Sequence, residues 1–167
     1  MEISGTWDFL DDYNSIAHLK IDSGNVNLIN KMVNIDAFIT NTTPIRNVDI
    51  SNSIISLIGV DSTWIISPTN LNLTTTGSSI WVNHTLNGTS IIKGGGITYN
   101  NFKFSNISSR LFDNNTFSIL EIDPNSSLAI ESGSTQNMDS LIANGTCANV
   151  ITIESTDNFG TAANINK

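Results

Sequence analysis

Apolar residues in this chain come in twos spaced two apart, and each cluster is cut off by a run of Asn, Ser, Thr, Gly or Asp. Leu71-Asn72-Leu73, Ile80-Trp81-Val82, Phe102-Lys103-Phe104, Leu120-Glu121-Ile122, Leu128-Ala129-Ile130 and Ile151-Thr152-Ile153 are six instances. A spacing of two is the period of one strand face. No long 3.6-residue stripe competes with it, so the chain is expected to fold as a succession of short strands. Residue preference agrees. The β-branched Ile, Val and Thr favour pleated, half-buried positions, and the strong helix formers are few.

The strand units recur roughly every 8–12 residues, a spacing shared by antiparallel sandwiches and β-solenoids. Candidates include Val26 to Ile29, Met32 to Ile39 as one strand, Ile45 to Ile50, Leu71 to Thr74, Ser79 to Val82, Ile97 to Phe104 and Val150 to Glu154. Turn chemistry falls between them, at Ser67-Pro68-Thr69-Asn70, Asn87-Gly88, Gly94-Gly95-Gly96, Asp113-Asn114-Asn115 and Asn144-Gly145. Two-residue hairpin turns are scarce, with Asn87-Gly88 and Asn144-Gly145 the clear cases. The strands are very short, and Asn recurs where stacked coils can align identical side chains into hydrogen-bonded ladders. These features favour an all-β, right-handed parallel β-solenoid (β-helix) over an antiparallel β-sandwich of jelly-roll type. At ~20–25 residues per coil the chain would make roughly six or seven coils, a rod about 30 Å long.

Residues 1–30 stand apart from 31–167, the expected solenoid domain. Trp7, Phe9 and Tyr13 concentrate aromatics near the start, and Phe9, Tyr13 and Ile16 can share a helical face. This segment reads either as an N-terminal cap or attachment segment over the open edge of the stack, or as a first irregular strand pair with Leu19-Lys20-Ile21 as a strand.

Hydrophobic residues make up 39% of the 167 and charged ones 13%, so the chain can bury a core and lacks the signature of disorder. Seven basic against 15 acidic residues give a net charge of −8, with no two basic residues adjacent. That argues against nucleic acid and against an anionic membrane surface as partners. The single Cys147 cannot close an internal disulfide, and with His18 and His84 far apart no Cys/His zinc site is expected. The N-terminus lacks the basic and apolar regions of a secretory signal, and no apolar run approaches the ~20 residues of a membrane span.

Few constellations suggest chemistry. Gly94-Gly95-Gly96 follows a Lys and precedes a strand, the reverse of a phosphate loop, and reads as a tight corner. Asp8, Asp11, Asp12 and Asn14 offer oxygen ligands, but their spacing is not that of an EF-hand loop, and they read as a solvated acidic surface. Glu121, Asp123, Glu131 and Glu154 are the carboxylates from which a glycan-cleaving pair would have to come. Outward carboxylates on a solenoid usually face solvent, and neither catalytic residues, cofactor nor metal are expected. Trp81 should point outward if Ile80 and Val82 point inward, and Tyr99 raises the same question. Each is a candidate contact for another subunit or for a glycan. The sequons at Asn41, Asn87, Asn106, Asn125 and Asn144 are the chance product of an Asn/Ser/Thr-rich chain.

Gly94-Gly95-Gly96-Ile97-Thr98-Tyr99-Asn100-Asn101 is followed by Asn114-Asn115-Thr116-Phe117-Ser118-Ile119-Leu120-Glu121-Ile122. This order of segments resembles a loosely defined family of Ser/Thr/Asn-rich β-solenoid proteins. They occur in bacteriophage tail-fibre and head-fibre modules and in large bacterial surface proteins. The likeness covers about three quarters of the chain, from Thr43 onward; similar sequences usually continue with further strands past Lys167. It implies parallel stacked strands and a structural or adhesive role, and carries no catalytic residue with it. The expected function is that of a non-enzymatic virion structural protein, a fibre or decoration element working as a homotrimer. A start at Met1 fits a phage gene. The alternatives are a glycan-binding adhesin module on a bacterial cell surface and a glycan-degrading spike.

Overall fold

The computed structural model of the protein is all β, with parallel strands stacked as a β-solenoid eight strands deep along its two longer sheets. It describes residues 1–84, 88–105, 108–157 and 160–167. Turns at Asn87-Gly88 and sequons at Asn87 and Asn106 thus fall on or beside positions outside the described residues.

The first four coils are three-sided. They comprise β1 (Glu2–Ile3), β2 (Thr6–Asp8) and β3 (Tyr13–Asn14); then β4 (Leu19–Ile21), β5 (Gly24–Asn27) and β6 (Met32–Ile35); then β7 (Phe38–Thr40), β8 (Arg46–Asp49) and β9 (Ile54–Leu57); then β10 (Asp61–Ile66), β11 (Leu71–Thr74) and β12 (Ser79–Val82). The later coils have two strands each: β13 (Thr89–Lys93) with β14 (Thr98–Phe104), β15 (Ser108–Phe112) with β16 (Thr116–Ile122), β17 (Ser127–Ile130) with β18 (Thr135–Ala143), and β19 (Thr152–Ser155) with β20 (Asn164–Asn166). The first strand of every coil builds sheet A, the last builds sheet C, and β2, β5, β8 and β11 form the shorter sheet B. Every ladder among the described residues is parallel, which excludes the antiparallel sandwich.

The period of two puts alternate side chains inside, and stacking lines them into columns. Val33, Ile55, Ile80, Phe102, Leu120 and Leu141 are register partners in sheet C, as are Ile35, Leu57, Val82, Phe104 and Ile122. All but Leu141 are buried, in one continuous core. Midway along the axis the columns turn aromatic. Phe38 stacks on Trp64 at 4.6 Å between ring centroids, and Tyr99 stacks on Phe117 at 5.7 Å.

Corners need residues that tolerate a left-handed backbone, and Asn supplies many of them. Asn30 (φ 58°) and Asn52 (φ 55°) occupy successive copies of the corner between sheets B and C, and Gly77 (φ 68°) the next. A Cβ on Gly77 would meet Asn52 Oδ1, and its left-handed φ is one that glycine adopts freely. Gly94-Gly95-Gly96 is a corner as expected, where sheet B ends and the chain passes directly from β13 to β14. Gly95 and Gly96 have φ of 68° and 69°, and a Cβ on Gly94 would overlap the Asn115 side chain beneath it.

Two expectations are corrected, and one open alternative is decided. The span from Met32 to Ile39 is two strands on different sheets, β6 and β7, with the corner at Asp36-Ala37. β15 was not expected, because Ser109 and Leu111 point inward around exposed Arg110 and only one of the two is apolar. Of the two readings of residues 1–30 the strand reading holds: Leu19–Ile21 is β4, and no helix forms. Their strands β1 to β5 join the same three sheets as the rest, so the segment is the first coil and the start of the second. Phe9 and Tyr13 do meet, edge to face at 5.4 Å, but Ile16 is 90% exposed.

Candidate functional site

The outer face of sheet C in the first four coils holds a groove of about 590 Å³. Its origin lies in register. With Val33, Ile55, Ile80 and Val82 inside, the residues between them must face out. Asn14, Asn34, Ser56 and Trp81 are successive register partners in one outward row, and Met32, Ile54 and Ser79 in the next. Three small polar side chains are therefore followed by one indole. The step in size from Ser56 to Trp81 closes the groove at that end. Met32 and Ile54 line one flank, and Ile58 and Asn83 line the other.

The polar groups of this groove are partly paired to each other. Asn34 Nδ2 donates to Asn14 Oδ1 at 3.0 Å, and Ser56 Oγ donates to Asn83 Oδ1 at 3.2 Å. These bonds orient the amides, and each amide still has hydrogen-bonding capacity left over. Asp12 is the carboxylate in the lining, and its Oδ1 accepts the Met32 backbone N–H at 2.8 Å. Lys103, which follows Trp81 in the same row, is held by Glu121 at 2.9 Å and Asp123 at 3.1 Å. Burial alone would depress the Lys103 pKa, but its hydrogen bonds to the two carboxylates outweigh it and the net shift is upward, so the ammonium stays charged.

Trp81 lies where the alternation puts it, 36% exposed between Ile80 and Val82, both fully buried. Tyr99 does not lie on the surface. It is 1% exposed, so it is no contact for a subunit or a glycan. Its hydroxyl accepts from Trp64 Nε1 at 3.1 Å and donates to the Gly94 carbonyl at 2.7 Å, tying the aromatic core to the glycine corner. Burial drives its pKa well above the ordinary tyrosine value. Trp7, Phe9 and Tyr13 belong to the first coil, where Trp7 is in register with Val26 and Tyr13 with Val33. Large rings thus stand at the inward positions at this end of the stack, with Trp7 45% exposed.

Of the four candidate carboxylates, Glu121 and Asp123 converge on the Lys103 ammonium, and Glu131 and Glu154 stand elsewhere. Glu131 Oε2 accepts the Asp113 backbone N–H at 2.9 Å, and Glu154 lies in a separate polar groove with Arg110. Among the described residues no group of three or more His, Cys, Asp or Glu side chains converges as a metal site would require.

Sequence reasoning placed Trp81 on the surface but missed Met32, Ile54, Asn14, Asn34, Ser56 and Asn83 beside it. Each is readable as outward once its own strand is known. That they are neighbours depends on which coils stack. Comparison of the chain with protein-family models, curated proteins and solved structures finds no match. Fold and groove together define a β-solenoid whose outer faces carry ordered rows of small polar side chains.

Proposed function

We propose that this protein is a non-enzymatic structural element, a rigid oligomeric rod that serves as a fibre or decoration of a bacteriophage head or tail. The observation that carries the reading is the parallel stacking, with core columns of sheets A and C continuing from coil to coil. Each coil's backbone groups bond to the next, so bending the axis would break ladder bonds and open the apolar interior together. The outer faces add side-chain ties between coils, among them Asn47 Nδ2 to Asn25 Oδ1 at 2.8 Å and Lys103 to Glu121. Glu121, Asp123 and Glu131 serve as structural partners in these ties. The virion setting rests on the GGG and TYNN segments and their likeness to fibre modules. Its partners on this reading are two further copies, in a homotrimer that buries the rods' sides together, and other virion proteins. A net charge of −8 disfavours nucleic acid and anionic membrane as further partners.

The test is mass spectrometry of purified virions from the source, with sedimentation of the isolated chain. Peptides present in stoichiometric amount and a trimeric mass are expected. Absence from intact particles would overturn the virion assignment and leave the bacterial cell surface as the setting.

A further inference from the structure

The geometry points to a binding site for a neutral glycan in the sheet C groove, with one pyranose ring against Trp81 and the following units lying along the Asn14–Asn34–Ser56 row. This does not depend on whether a virion or a cell carries the rod.

Three observations carry it. The first is shape. At about 590 Å³ the groove falls within the usual range for small-ligand sites, and Trp81 closes one end. The second is the mixture of surfaces. A sugar ring has a face of C–H groups and an edge of hydroxyls. Trp81, Met32 and Ile54 supply apolar surface for the first. The amides of Asn14, Asn34 and Asn83 and the Ser56 hydroxyl supply both donors and acceptors for the second. The inter-coil bonds Asn34–Asn14 and Ser56–Asn83 hold these groups in place before any ligand arrives, so little side-chain freedom is lost on binding. The third is charge. On a chain of net charge −8 this groove is lined almost wholly by neutral groups, its one carboxylate already engaged by the Met32 N–H, and Lys103 beyond Trp81 is neutralised by two carboxylates. An uncharged polyhydroxyl ligand matches this lining. An anionic one meets no free cation in it, and a cationic peptide meets one carboxylate.

A second copy of the chain is the competing occupant. A two-fold contact would set this trough against itself and leave a void, whereas the three-fold contact proposed above sets a different face of the next copy against it, so sedimentation of Trp81→Ala separates the two occupants.

The experiment uses the full chain on an array of neutral hexose and N-acetylhexosamine oligosaccharides, with sialylated counterparts beside them. Hits are titrated by tryptophan fluorescence and calorimetry. Wild type is expected to bind at least one neutral oligosaccharide. Trp81→Ala should weaken that binding roughly tenfold or more, the scale of one lost aromatic contact. Asn34→Ala should weaken it too, and Arg110→Ala, on sheet A, should leave it unchanged. Circular dichroism confirms that each variant keeps its β signal, and Trp81 is exposed enough for its loss to spare the core. Failure to bind any neutral oligosaccharide overturns the proposal, as does equal binding by wild type and Trp81→Ala. So does an oligomer in sedimentation that Trp81→Ala disperses, which would assign the groove to a second copy. The virion test can fail without touching this one.

Discussion

Arg46 shows how much one side chain can organise. It is fully buried, and its guanidinium is met only by neutral oxygens. Nε donates to the Pro44 carbonyl, Nη1 to the Thr40 carbonyl and hydroxyl, and Nη2 to the Ser67 and Thr69 carbonyls. All five N–H donors are used, and they fasten the corners of two successive coils. Burial lowers its pKa, but a guanidinium starts high enough to remain charged. Arg46→Met should leave these acceptors unpaired and cost about 3 kcal/mol; an unchanged urea midpoint would refute this. Tyr99 gives a pH prediction. Its folded pKa is raised above the unfolded value of 10.0, so its contribution is complete below pH 10 and is lost as pH rises through the folded value. Lys103, also raised, adds a loss of the same sign, so the difference between wild type and Tyr99→Phe isolates the phenol. Stability curves against pH should show Tyr99→Phe weaker at neutral pH and less steep in alkali. Parallel curves would sink the assignment.

At the scale of elements, the corners carry the sharpest sequence requirements. Gly94 has no room for a side chain because Asn115 fills the space, and Asn115 is itself fixed by bonds to the Phe112 carbonyl at 2.8 Å and Gln136 Oε1 at 3.0 Å. Gly94→Ala should therefore cost about 2 kcal/mol or more through overpacking. Asn30→Gly, at a left-handed position that glycine accepts freely, should change stability by no more than about 0.5 kcal/mol. Thermal melts of the two variants check both. If they shift alike, the corner argument fails. The strands themselves ask less. β12 needs only inward Ile80 and Val82, which is why its outward position is open to a residue as large as Trp81.

The whole molecule is a stack in which each coil touches mainly the next, so local stability should follow the quality of neighbouring interfaces. Coils four to six hold Trp64, Tyr99, Phe102 and Phe117 in mutual contact. The last described coil is thinner. Ile153 is in register with fully buried Leu128, yet is 36% exposed, and Ile165 is 40% exposed. Hydrogen exchange should protect β10, β12, β14 and β16 most strongly and β19 and β20 least. Uniform protection would show instead that the stack opens as one unit.

The alternation in Ile80-Trp81-Val82 or Leu128-Ala129-Ile130 is local, and from it the sequence by itself determined most of the strands with their inward and outward faces, while scarce hairpin turns, short strands and recurrent Asn favoured the parallel stack over a sandwich. β15 escaped because Ser109 replaces an apolar residue on its inner face, and Tyr99 was misjudged because the alternation slips within β14: Tyr99 and Phe102 are both buried three residues apart, so the phase of Phe102-Lys103-Phe104 puts Tyr99 outside. Only the tertiary structure decided which strands are neighbours. A coil takes 18 residues between Lys103 and Glu121 but 29 between Asn137 and Asn166, so no fixed period tells which outward residues will meet. The Asn14–Asn34–Ser56–Trp81 row exists because core packing and corner geometry close each coil at its own length. Those are long-range terms, and no window of adjacent residues contains them.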